Sequence, residues 1–343
     1  MASNSKILKE HPEVGKLKGK KVVVTGGAGF IGSHLCEELV NLGADVTSID
    51  DYSAGKERNL EFLKEAKNFR ALKKDVTDQK DWEDIFGDAD VVFHNAASKK
   101  NICLINPHRD LEVNAGGALN LMQQAMKYKV KKFVHASTGS VYGEPKVFPS
   151  NEEHPLVPVS YYGVSKLAGE KYVYAFHHLY GLNTTVLRYY HVYGTRQESN
   201  EFGGVVSIFL RNIIEGKPLT IFGDGTQQRS FTWVKDIVKA NLLAAVTERS
   251  NGEAYNCASG IKVSIKELAE NLVKMMKAPG VKIEYGDWLV GDVKYFDVDN
   301  SKIRDHLGLS FEKDFWGNMQ KTIDEFLVYL EREKKLAAKT SKK

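Results

Sequence analysis

Tyr162 and Lys166, in the stretch "VSYYGVSKLAGE", stand four residues apart. On a helix that spacing puts them on one face, while the adjacent Tyr161 lies about 140° around the axis from Lys166. A phenol titrates near pH ~10, so it is a poor base at neutral pH unless a nearby cation favours the phenolate. Lys166 offers one such cation, and the positive ring of an oxidised nicotinamide offers another. The stretch "HASTGSVYG" adds hydroxyls that would face the same cleft or else satisfy a turn. Together they suit removal of a proton from an alcohol coupled to hydride transfer. A bare YxxxK also reads as an exposed helical turn, so its weight comes from the elements around it.

Those elements begin with "KKVVVTGGAGFIGSHLCEELVNLGADVTSIDD". A β-branched run, Val22 to Thr25, leads through Gly26, Gly29 and Gly32 into an apolar stripe of Ile31, Leu35, Leu39 and Leu42, which predicts strand, tight turn and helix. The turn, with Phe30 and Ile31 opening the helix, is a pyrophosphate cradle in which free amides face the ligand. A second strand, "DVTSID", ends in Asp50, where a carboxylate meets the adenosine ribose hydroxyls. Asp50 and its neighbour Asp51 would repel a 2'-phosphate, which favours NAD over NADP. Further strands in "FRALKKD", "DADVVFHNA" and "KKFVHAS" alternate with amphipathic segments such as "NAGGALNLMQQAMKY". This pattern predicts an α/β fold, a Rossmann doubly wound parallel sheet, with Asp75 and Val76 beside the adenine and Ala96 and Ala97 after the fourth strand.

The 343 residues, 42% hydrophobic and 27% charged, are enough for one large or two modest domains, and no apolar run is long enough to suggest a membrane span. The N-terminal stretch lacks the pattern of a secretory signal, so the expected compartment is the cytoplasm. Cys36, Cys103 and Cys257 fall in no ligand spacing, which predicts reduced thiols, no disulfide and no metal. Much of the net charge of +4 sits in the C-terminal "EREKKLAAKTSKK", read as a solvated basic tail. No nucleic-acid or membrane partner is expected.

In order along the chain, "TGGAGFIGSH", "HNAAS", "ASTGSVYGEP", "YYGVSKLAGE", "LRYYHVYGTRQ" and "GDGTQQRSFTWVKD" resemble the extended short-chain dehydrogenase/reductases that act on nucleotide-diphosphate sugars. The resemblance spans about residues 20 to 310. It implies that Tyr162 is the base, Lys166 its partner and Thr138 the hydroxyl that bonds the reacting oxygen, with Asn114 near the cofactor. Where dehydratases of this superfamily carry Thr-Asp-Glu, this chain has Thr138, Gly139 and Ser140, and decarboxylases carry a glutamate where Ser140 stands. The non-ionisable pair suits 4-epimerisation, which needs only one proton shuttle and a hydride. Lys99 is similar in position to a lysine of UDP-galactose 4-epimerases, where it would face cofactor and substrate.

The resemblance further implies a substrate set of Lys99, Thr138, Gly139, Ser140, His191, Val205, Arg229 and Lys294. Arg229 reads either as a diphosphate clamp or as a surface arginine. His191 replaces an asparagine usual in relatives and reads as core or as a phosphate donor, and Leu289 replaces an arginine whose contact Lys294 would supply. The expected organisation is an N-terminal extension (1–19), a dinucleotide-binding domain (20–190, with a return segment at about 236–262), a smaller mixed α/β substrate-binding domain (191–235 and 263–330) and the tail (331–343). By resemblance, the helices around 114–128 and 161–178 pair in a homodimer as a four-helix bundle. Three functions are weighed: a UDP-sugar 4-epimerase with tightly held NAD, an oxidoreductase or dehydratase on the same scaffold, and a non-catalytic dinucleotide sensor.

Overall fold

The computed structural model describes residues 5–98, 100–200, 203–288 and 297–340. Seven parallel strands form the central sheet: β1 (Lys21–Thr25), β2 (Asp45–Asp50), β3 (Phe69–Lys73), β4 (Val91–His94), β5 (Lys132–Thr138), β6 (Thr184–Tyr189) and β7 (Glu253–Cys257). Across the sheet they run β7-β6-β5-β4-β1-β2-β3. The chain therefore reverses direction between β1 and β4, and that reversal opens a crevice at the carboxyl ends of the strands. β1 and β4 to β6 are buried along nearly their whole length, as expected of parallel strands covered on both faces, whereas the edge strand β3 turns Arg70 and Lys73 outward.

The main helices are α1 (Phe30–Asn41), α2 (Ala118–Lys127), α3 (Tyr161–Tyr180), α4 (Val205–Ile214), α5 (Val234–Val246), α6 (Ile265–Met275) and α7 (Phe315–Thr340). One core joins the sheet to Leu35 and Leu39 of α1 and Ile237 and Leu243 of α5. A second, on the other face, packs Leu121 and Met122 of α2 and Val173 and Phe176 of α3 against Phe133. A third lies among α4, α6 and α7, where Phe209, Leu268, Leu272, Met319 and Phe326 meet beside the short pair Leu219–Phe222 and Ile283–Gly286. Ile303, Leu307, Leu309 and Phe311 join the first core rather than the third, although their stretch was expected in the smaller domain. Ile7, Val14 and Leu17 of the N-terminal extension are buried in the first core too. The stretch expected as a tail continues helix α7 as far as Thr340.

Helix α3 positions the tyrosine–lysine pair. Ser160 caps it, its Oγ accepting from the Gly163 amide at 3.1 Å, and Gly181 ends it in the left-handed conformation at φ 69°. A Cβ at Gly169 would stand 2.4 Å from the Asn114 carbonyl oxygen. The glycine thus lets α3 lie directly on the π-helical turn Glu112–Gly117 that precedes α2.

Behind the crevice, Arg188 of β6 and Glu170 of α3 form a buried ion pair. Glu170 also accepts from Ser137 Oγ at 2.9 Å, while Arg188 donates to the Tyr142 hydroxyl, which donates to Asn256 Oδ1 of β7 at 2.8 Å. Removing one member of a buried pair leaves the other charge without compensation and costs about 3–5 kcal/mol. Arg188→Met is expected to lower the unfolding free energy from urea titration by that order, with a lower midpoint, and adding Glu170→Gln should restore a substantial part of it. Equal midpoints for wild type and Arg188→Met would mean that the pair does not hold the strand ends.

Candidate active site

The glycine-rich turn shows why those positions tolerate no side chain. Gly26 has φ 67°, and a Cβ there would stand 2.7 Å from the Ala96 amide nitrogen; one at Gly32 would come within 2.1 Å of the Gly26 carbonyl oxygen. Gly29 begins α1 without a side-chain cap, so the first amides of a 12-residue helix are free to meet an anion. Asp50, at the end of β2, accepts from the amides of Ala28 and Tyr52, each at 2.9 Å. Burial pushes its carboxyl upward, and those two amides oppose the shift. A cavity of about 330 Å³ runs from this turn to Lys166. Gly26, Gly29, Phe30, Ile31, Gly32, Asp50, Asp51, Asp75, Val76, Ala96 and Ala97 all line it, so the set is consistent with an extended dinucleotide.

Thr138 ends β5, and its Oγ1 accepts from the Ser140 amide at 3.2 Å, capping the short turn Gly139–Tyr142. Tyr162, in the first turn of α3, lines the dinucleotide cavity and also a second cavity of about 400 Å³. Tyr161, by contrast, is 58% exposed. Lys166 is buried and donates to the Ala136 carbonyl oxygen at 2.5 Å, and burial brings its ammonium down to about 8.

The depression of the Tyr162 phenol expected from Lys166 is not found among the protein's own groups. Burial, followed by the charge of Asp110, pushes the phenol up to about 12, and a hydrogen bond with Thr138 works in the other direction. Among the described residues no cation lowers it; an oxidised nicotinamide beside the ring would favour the phenolate.

Asn114 lies behind this site, fully buried, rather than on the cavity wall. Its Oδ1 accepts from the Ser98 amide and its Nδ2 donates to Asp110 and to Ser165 Oγ, each at 3.0 Å, so it ties the strand-β4 loop to α3.

The second cavity is lined by Thr138, Gly139, Ser140, Tyr162, His191 and Val205, together with Tyr189, Tyr190, Gln197 and Phe231. Among the described residues lining it, none is Asp, Glu, Lys or Arg. A Cβ at Gly139 would fall 2.3 Å from the Tyr190 ring, so the glycine is what lets that ring pack under the cavity floor. His191 has φ 35° and sets its ring edgewise to Phe231. Arg229 is buried within the short strand Gln228–Ser230, donating to the Gln228 carbonyl oxygen at 2.9 Å. It is neither a surface arginine nor a lining residue of either cavity. Lys99, Leu289 and Lys294 lie outside the described residues.

Sequence reasoning missed Arg109, which lines the dinucleotide cavity, and Asp110, whose buried carboxylate sits behind Tyr162 and Lys166. Neither falls in a spacing that carries a signal. A charged pair in "NPHRDLEVN" reads as solvated surface until the fold places it.

A doubly wound sheet with a tyrosine–lysine pair at the far end of its dinucleotide crevice defines a short-chain dehydrogenase/reductase of the extended type. Residues 22–258 match the model of the NAD dependent epimerase/dehydratase family, and the chain belongs to that family, with NAD as its cofactor. A putative UDP-glucose 4-epimerase of Methanocaldococcus jannaschii is 38% identical over 249 residues, 72% of this chain and 79% of the relative. The structure of the Thermotoga maritima UDP-glucose 4-epimerase with UDP-glucose is similar at a TM-score of 0.85 and 36% identity, over 90% of this chain and 99% of that one. The UDP-glucuronic acid 4-epimerase of Bacillus cereus, solved with UDP-glucuronic acid and NAD, is similar at a TM-score of 0.84 and 30% identity, over 90% and 99% of the two chains.

The Gly139–Tyr190 contact gives a direct test of the cavity floor. Gly139→Ala forces the buried Tyr190 ring to shift and is expected to destabilise the fold by about 1–3 kcal/mol, the range for overpacking a tight site. The measurement is urea unfolding, and an unchanged midpoint would show that the ring has room to move.

Proposed function

We propose that this chain is an NAD-dependent epimerase that inverts carbon 4 of a UDP-sugar through a transient 4-keto intermediate. The observation that carries this reading is the non-ionisable wall beside Thr138. Gly139 and Ser140 stand where elimination or decarboxylation would call for carboxylates, and no described lining residue of the cavity supplies one instead.

On this reading the glycine turn and the first amides of α1 hold the pyrophosphate, Asp50 the adenosine ribose and Lys166 the nicotinamide ribose. NAD, when bound there, would supply a reversible hydride acceptor for carbon 4. Tyr162 takes the proton from the 4-hydroxyl and gives it back after the ketone has turned over. Thr138 hydrogen-bonds the same oxygen. Proton and hydride both return to the sugar, so there is no net redox change. Ser140, His191 and Val205 contact the sugar and thereby set which hexoses fit. Arg229 and Lys294 hold the diphosphate and Lys99 faces cofactor and substrate on the same reading.

The same reading gives a homodimer in the cytoplasm. Two observations support the pairing of α2 and α3 with their copies: they pack side by side, and their outer faces expose Met126, Val164, Tyr172, Tyr174 and Tyr180. For the compartment, Cys36, Cys103 and Cys257 are buried and free, and none of the described helices is long and apolar enough to cross a membrane.

Incubating the protein with UDP-, dTDP-, GDP- and CDP-hexoses without added cofactor should convert a UDP-sugar into its C4 epimer. Tyr162→Phe should lower that rate by at least about a hundredfold, the scale of a lost general base. Accumulation of a ketone, or stoichiometric reduction of added NAD, would replace epimerisation with a dehydratase or a net dehydrogenase. For assembly, sedimentation should give twice the chain mass for the wild type and one chain mass for Tyr172→Glu/Tyr174→Glu. A wild type that sediments as a single chain would remove the dimer.

A further inference from the structure

Where the dinucleotide cavity would take the adenosine end, an arginine is surrounded by carboxylates. Arg109, on the short helix Pro107–Leu111, reaches back across the ends of β2 and β3. Its guanidinium pairs directly with Asp75, lies 3.5 Å from Asp51 and 3.7 Å from Glu112, and donates to Thr77 Oγ1 at 3.4 Å. The arginine side chain is one-third exposed, so it is reachable from the cavity it lines. The carboxylates are themselves fixed: Asp51 accepts from the Ser53 amide and Asp75 from the Thr77 amide, both at 2.9 Å.

We propose that Arg109 is a specificity-determining residue, a 2'-phosphate ligand held out of use by Asp51 and Asp75, and that these contacts set the choice of NAD over NADP. The adenosine 2'-position belongs at the end of β2, beside Asp50 and Asp51. A 2'-phosphate there carries about two negative charges and would meet Asp50, Asp51 and Asp75, with the Arg109 guanidinium already engaged. Neutralising Asp51 and Asp75 both removes repulsion and releases a planar donor suited to bidentate phosphate binding. The competing account is that Asp50 alone excludes the phosphate and Arg109 merely staples two strand ends together.

The Asp51→Asn and Asp75→Asn substitutions keep the amide-accepting oxygen and remove only charge. Wild type, Asp51→Asn/Asp75→Asn, and the same pair with Arg109→Ala would each be dialysed to equilibrium against equimolar NAD and NADP. Retained nucleotide is then quantified by mass spectrometry. The double variant is expected to raise the NADP-to-NAD ratio by about tenfold or more, the size of one additional charge-assisted hydrogen bond. Adding Arg109→Ala is expected to erase most of that rise. An unchanged ratio in the double variant would overturn the proposal, as would a rise that survives loss of Arg109. The readout is bound nucleotide rather than sugar turnover, so it stands apart from any failure of the epimerase reading.

Discussion

The candidate active site is held from behind by one buried carboxylate. Glu170 lies a turn beyond Lys166 on α3 and is fixed by Arg188 from β6 and by Ser137, the residue before Thr138. Arg188 in turn holds Tyr142, at the end of the turn that contains Gly139 and Ser140. The lysine and the threonine, 28 residues apart in sequence, are thus referred to a single point behind the cleft. Such pairs add little net stability because desolvation offsets much of the attraction. Their effect here is positional, since any shift of α3 against β6 would separate the fork of Arg188 from its partner.

The dinucleotide half is organised differently, by the absence of side chains. Gly26 and Gly32 bring backbone against backbone, and Asp50 holds the turn closed from the neighbouring strand through the Ala28 amide. Asp50 spans structure and cavity: one oxygen secures the glycine turn and the other the Tyr52 amide, while the residue lines the cavity. Its polar surroundings keep a buried acid usable as an acceptor.

What could be read in the sequence was whatever depends on neighbours along the chain. The Tyr162–Lys166 spacing, the glycine turn and the strand ending at Asp50 are local patterns, and the parallel, doubly wound sheet follows from alternating strands and helices. Asn114 was placed near the site but not behind it, because its partners Ser98 and Ser165 come from other elements. Arg229 reads in the sequence as clamp or surface, and strand pairing buries it, which removes the surface reading. The Gly139–Tyr190 contact and the carboxylates around Arg109 join residues about 51 and 34 to 58 positions apart, distances over which sequence spacing carries no geometric information.

Tyr162 and Tyr189 line both cavities, so the two chambers adjoin at these two rings. On the proposed reading, a hydride parked on the dinucleotide side can be recovered only by the sugar still waiting on the other. A ketone that escaped once would leave the protein holding an electron pair with no recipient, so the lifetime of each molecule becomes a count of turnovers. The grip on the nucleotide diphosphate then does more than set affinity: it determines how many cycles a copy completes before it stalls.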